Sequence, residues 1–111
     1  MKLLLTLIPL VALSQDLPAP KPKFENAKVK VTELEYRPGV PRPRSIRPSD
    51  QVIVFLDDCK YQRIDSGTGE KTVRERKSGD VIWHDKGEDA PVLINLGSKP
   101  YRTLVIELKD K

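Results

Sequence analysis

Tyr36-Arg37-Pro38-Gly39-Val40-Pro41-Arg42-Pro43-Arg44-Ser45-Ile46-Arg47-Pro48-Ser49-Asp50-Gln51-Val52-Ile53-Val54-Phe55-Leu56 is the stretch on which the reading of the chain turns. Tyr36 ends an alternating segment, and Pro38-Gly39 is a turn signal that closes it. Gln51 to Leu56 is a short, unbroken apolar run rich in β-branched residues. Such a run reads as a central strand buried on both faces or nearly so. Between the two strands lies a loop stiffened by Pro and charged by Arg37, Arg42, Arg44 and Arg47.

The same grammar continues on both sides. Lys28 to Tyr36 alternates with period two, which marks a half-buried strand, and its phase slips near Val31-Thr32, which predicts a bulge or a change of sheet there. After the central run, Asp57-Asp58 stops the strand with side-chain bonds to local backbone N–H groups. Cys59 to Ile64 resumes, and Asp65-Ser66-Gly67-Thr68-Gly69 is a hairpin turn whose glycines can take positive φ. Lys71 to Arg76 is a polar strand, Ser78-Gly79-Asp80 a turn, and Val81 to His84 a short apolar strand. Val92 to Leu96 and Tyr101 to Leu108 complete the set. No segment carries a helical apolar stripe. Seven or eight short strands at regular spacing predict an all-β sandwich or barrel.

The chain has 111 residues, 38% of them hydrophobic and 32% charged, enough for one small core and no second one. At its start, Lys2, the uncharged run Leu3 to Leu13 and the small residues around Ala12 and Ser14 fit a secretory signal peptide over residues 1–14. Residues 15–27, with Pro18, Pro20 and Pro22, read as an extended linker whose Phe24 pins its end to the core. Residues 28–111 form the barrel domain. The expectation is therefore a secreted or periplasmic protein with no stable membrane insertion after cleavage. The net charge of +4 is too small to argue for nucleic acid as a partner. The single cysteine, Cys59, excludes an internal disulfide and is expected to be at least partly buried. Trp83, the one tryptophan, is expected to anchor the core.

In order and spacing, Pro38-Gly39, the apolar strand, the polar hairpin, Gly79-Asp80-Val81-Ile82-Trp83 and Asn95-Leu96-Gly97 resemble a small single-domain cupin. The resemblance runs from about Val29 to Leu108 and implies a double-stranded β-helix, or jelly-roll barrel. Cupins carry a first motif of Gly, a short loop, His-x-His and an acidic metal ligand. Counted from Gly39, the two His positions fall at Ser45 and Arg47, and the acidic position at Gln51. The further His of the second motif would fall near Asp89 to Pro91, where the sequence has none; Asn95 matches the Asn that closes that motif. A guanidinium is protonated, has no lone pair to donate and repels a divalent ion. The resemblance thus implies the scaffold, while the residues argue for no metal and no other cofactor.

Three function classes remain open at this level. The preferred one is a metal-free ligand-binding or structural module in which Ser45, Arg47 and Gln51, with Arg44 beside them, bind a small polar, anionic or sugar-like ligand through the planar fork of Arg. Against it stands an Arg47 that pairs with Asp50 or points to solvent. A second is an enzyme with a nonstandard site, in which His84, grouped with Asp85, Glu88 and Asp89, does acid–base work. A third is a homodimer whose Arg/Pro loop meets an anionic partner. No nucleophile elbow, phosphate loop or Cys/His metal spacing is present.

Overall fold

A computed structural model describes residues 16–110, all strand, turn or loop. The expected signal peptide, residues 1–14, lies outside the described residues. Ten strands follow one another: β1 (Lys21–Glu25), β2 (Val29–Tyr36), β3 (Ser45–Ile46), β4 (Gln51–Phe55), β5 (Cys59–Ile64), β6 (Lys71–Arg76), β7 (Val81–His84), β8 (Asp89–Ala90), β9 (Val92–Asn95) and β10 (Tyr101–Leu108). A five-stranded sheet runs β1-β2-β10-β4-β7, a three-stranded one β6-β5-β9, and β3 pairs with β8. The strand pairings are antiparallel throughout.

The alternation along β4 sets the interior. Gln51, Ile53 and Phe55 are buried while Val52 and Val54 are only partly so. The register carries this face outward: Phe55 opposes Thr103, Ile53 opposes Val105 and Ile82, and Gln51 opposes His84. Beyond Thr103, Tyr101 and Tyr36 pair in register and stack at 4.8 Å between ring centroids. Phe55 and Tyr61 add parallel rings from the two larger sheets at 6.3 Å. These rings close one end of the barrel. Buried Asn95 fastens that end, donating from Nδ2 to the carbonyls of Tyr36 and Lys99 at 2.9 Å each and accepting from the Gly97 amide at 2.8 Å. At the turn before β7, Gly79 has φ +95°, a region open to glycine, and its amide donates to the Phe55 carbonyl at 2.7 Å.

Several expectations are corrected. Trp83 is not in the core: it is half exposed on the outer face of β7, where its Nε1 donates to Asp85 at 2.8 Å. Odd-numbered β7 residues point outward because Ile82 must join the inner layer of Ile53. Residues 21–25 of the expected linker form strand β1, an edge position where Pro22 forfeits no interior ladder bond. Phe24 lies exposed on that edge instead of pinning the core. The phase slip at Val31-Thr32 is not a bulge of β2, which pairs continuously with β10. The irregularity sits opposite, on β1, between Pro22 and Phe24. Asp57 and Asp58 also reach further than their own turn: Asp57 holds the Arg102 amide and guanidinium, and Asp58 accepts from the Ser78 amide.

Candidate functional site

The inner faces of the two larger sheets enclose a cavity of about 340 Å³, within the size range of about 300–1,000 Å³ usual for ligand pockets. Its walls follow the pleat. The five-stranded sheet supplies Leu34 and Tyr36 from β2, Tyr101, Thr103 and Val105 from β10, Gln51, Ile53 and Phe55 from β4, and Ile82 and His84 from β7. The opposite wall is cationic. Tyr61 and Arg63 of β5 and Arg74 and Arg76 of β6 share one face, because Tyr61 opposes Arg74 and Arg63 opposes Thr72 in register. Arg42 and Arg47 enter from the Arg/Pro loop.

Ser45, Arg47 and Gln51 are brought together around this cavity. Arg47 Nη1 donates to Gln51 Oε1 at 3.0 Å, so its side-chain partner is Gln51 and not Asp50, which instead accepts from the Lys86 amide. Arg44 is not in the lining; it pairs with Asp89 at 2.6 Å on the exposed rim. Arg42, which the sequence places in the Arg/Pro loop, lines the cavity as well. Three further lining arginines were not singled out from the sequence: Arg63, Arg74 and Arg76. Their signal was the polar character of the β5–β6 hairpin, since a strand polar on its inner face must face a polar interior.

The electrostatics are one-sided. Five guanidiniums line the cavity against two carboxylates, Glu88 and Asp89. Both carboxylates have other partners. Glu88 accepts from the Asp85 amide and lies 2.7 Å from His84 Nδ1, and these contacts hold its carboxyl below its usual range. Asp89 accepts from Ser66 Oγ and Arg44, with the same effect on its carboxyl. Burial, and after it the positive charge of Arg42, pulls the Arg47 guanidinium below its ordinary value. Arg42 Nη2 donates to the Pro91 carbonyl. The Nε of Arg42 and the Nε of Arg47 are buried and have no hydrogen-bond partner among the described residues, and Thr103 Oγ1 is in the same condition. Buried donors left unpaired are costly, about 1–3 kcal/mol each.

No family model matches the chain, and no curated protein matches it. Solved structures do. A cupin domain from Bordetella pertussis Tohama I superposes with a TM-score of 0.76 at 19% identity, covering 88% of this chain and 99% of that one. The fold is that of a cupin. The cupin-2 domain of an XRE family transcriptional regulator from Enterobacter cloacae gives 0.63 at 14% identity, over 84% and 97% of the two chains. The polyketide cyclase RemF from Streptomyces resistomycificus gives 0.59 at 20% identity, over 77% of this chain and 57% of its own.

A cupin of the usual kind would hold a metal ion inside the barrel. The donors present do not fit one. The resemblance puts Ser45, Arg47 and Gln51 at its ligand positions, and Arg47 would bring a fixed positive charge against a cation there. Among the described residues no three His, Cys, Asp or Glu side chains come together as a ligand set. His84 does reach the cupin cavity, beside Gln51 and in contact with Glu88. A single imidazole so placed can exchange a proton with a bound molecule, whereas a cation would lack further ligands.

Proposed function

We propose that the protein is an exported cupin-fold binding protein for a small organic anion, held inside the barrel by Arg47, Arg42 and the arginines of the β5–β6 hairpin. One observation carries the reading. The chain has eight arginines. The three outside the cavity, Arg37, Arg44 and Arg102, each pair with a carboxylate. The five that line it, Arg42, Arg47, Arg63, Arg74 and Arg76, form no ion pair among the described residues. Converging guanidiniums with unpaired Nε donors suit carboxylate or phosphate oxygens, which take the Arg fork in two parallel hydrogen bonds. Apolar walls from Ile53, Ile82 and Val105 suit the body of an organic molecule more than a bare ion. Export rests on the sequence of residues 1–14, and the N-terminal residue of protein recovered from a cell envelope or medium tests it.

The experiment is thermal unfolding with benzoate or inorganic phosphate at increasing concentration. A ligand that binds only the native state raises the melting temperature with its concentration. The rise is expected in the native protein and is expected to be lost in the double variant R42M/R47M. No rise with any small anion at low salt refutes the reading.

A second reading, a homodimer, is favoured by the outer face of the five-stranded sheet. Trp83, Val52, Ile106, Val31 and Phe24 stand opposite one another in register, one from each strand, in an apolar row from edge to edge. Monomeric proteins seldom leave so long an apolar strip open.

A further inference from the structure

The cavity has two cationic ends, not one. At the first, Arg47 donates to Gln51, with His84 alongside in register. At the second, the Arg76 guanidinium lies 5.6 Å over the Phe55 ring and its Nε is 3.4 Å from the Tyr61 hydroxyl. Gln51 and Phe55, the residues these two arginines lie against, are the two ends of β4. They are four residue steps apart along the strand, a span of about 13 Å. On the five-stranded sheet the wall between is apolar, Ile53 on β4 flanked in register by Ile82 and Val105, while Arg63 and Arg74 stand on the wall opposite. Arg76 has no carboxylate partner among the described residues, so the charge at the aromatic end is as unanswered as the charge at the Gln51 end.

Resting on the anion-binding reading above, we infer that the ligand is an elongated dianion, with an acid group at each end of an apolar, flat spacer. One acid group meets Arg47 and Gln51. The spacer lies along Ile53, Ile82 and Val105. The other acid group meets Arg76 above the parallel rings of Phe55 and Tyr61. A monoanion of the same body satisfies one end and leaves the other guanidinium unpaired. An aromatic dicarboxylate is the simplest molecule of this class.

Calorimetric titration of the purified protein with paired probes tests this: benzoate against terephthalate, and biphenyl-4-carboxylate against biphenyl-4,4′-dicarboxylate. In at least one pair the dicarboxylate is expected to bind about tenfold more tightly than its monoacid. In R76M the advantage should vanish while monoacid binding persists. R76K keeps the charge and should retain part of the advantage, and unfolding curves of both variants report on whether the barrel is intact. Equal affinity within both pairs, with monoacid binding still lost in R47M, overturns the dianion and leaves the anion site standing. An advantage that survives in R76M also overturns it. Failure of every probe, inorganic phosphate included, overturns the anion site and this inference together.

Discussion

Arg47 is the residue whose environment says most about the protein. Its side chain is half-buried, its Nε is unpaired, and its one side-chain partner is the neutral amide of Gln51. A carboxylate in reach would have made it a structural ion pair. Replacing it with Met keeps an unbranched apolar stem, removes an unpaired buried donor and gives up one bond to Gln51, so R47M is expected to unfold close to the temperature of the native protein. The same variant should lose anion-induced stabilisation, which thermal unfolding with and without benzoate measures. Asn95 is its structural counterpart. All three of its side-chain hydrogen bonds close the aromatic end of the barrel, and N95A is expected to cost about 2–4 kcal/mol in a denaturant melt. Cys59 is partly buried beside that end, and burial pushes its thiol up to about 11. It should therefore resist iodoacetamide at pH 8, where an exposed peptide cysteine reacts, and mass spectrometry reads the difference. None of this is visible from residue type alone. Ser45, Arg47 and Gln51 could be singled out because a cupin motif has fixed spacing, but the pairing of Arg47 with Gln51 rather than Asp50 depends on where β4 begins.

At the scale of elements, the β5–β6 hairpin and the outer face of the large sheet are where the fold adds most to the sequence. From sequence, Lys71 to Arg76 is polar but for Val73. It is polar because Arg74 and Arg76 face the cavity, while Lys71, Val73 and Glu75 face water. The turn that joins it to β5 was legible: Asp65 Oδ2 accepts from the Gly67 and Thr68 amides at 3.0 and 2.8 Å, a local bond pattern that short polar side chains favour. The five-stranded sheet is apolar on both faces, and period-two alternation gives no rule for choosing between two apolar faces. Trp83 and Phe24, expected inside for their large apolar rings, both lie on the outer face. Their place at the two ends of one outward row gives an element-scale expectation. If the row is a dimer face, W83K should shift the sedimentation of the protein from dimer to monomer without lowering its melting temperature at low concentration. A native protein that sediments as a monomer at every concentration rules the dimer out.

For the whole molecule the balance of charge governs behaviour with pH and salt. The carboxyls of Asp57, Glu88 and Asp89 are held low, chiefly by hydrogen bonds from Arg102, the Asp85 amide and Ser66 respectively. A group with a depressed native pKa stabilises the fold above its unfolded value and loses that contribution as pH falls through the native one. Stability is therefore expected to be flat above about pH 5 and to decline below about pH 4. At the other extreme, the raised thiol of Cys59 ionises first in the unfolded chain, from its ordinary 9.0 upward. Its contribution falls between there and about 11, and melting curves from pH 2 to 11 test both limbs. Anion affinity should weaken with added chloride, because several guanidiniums attract the ligand and the salt screens them. Much of the architecture could be read without coordinates. Strand positions, turn residues and the cupin order of elements follow from local chemistry: β-branched runs, Pro-Gly and Ser-Gly turns, and period-two patterning, each written in neighbouring residues. The sequence alone also singled out Ser45, Arg47 and Gln51, through the resemblance to a cupin motif, and the fold brings all three to the cavity. Only the tertiary structure decided which face of each strand looks inward, and so gathered Arg42, Arg47, Arg63, Arg74 and Arg76 around one cavity. Those five are spread over 35 positions of chain. Their convergence depends on the pairing of β5 with β6 and β9 and on the bridge from Arg42 to Leu93, long-range contacts that leave no local signature.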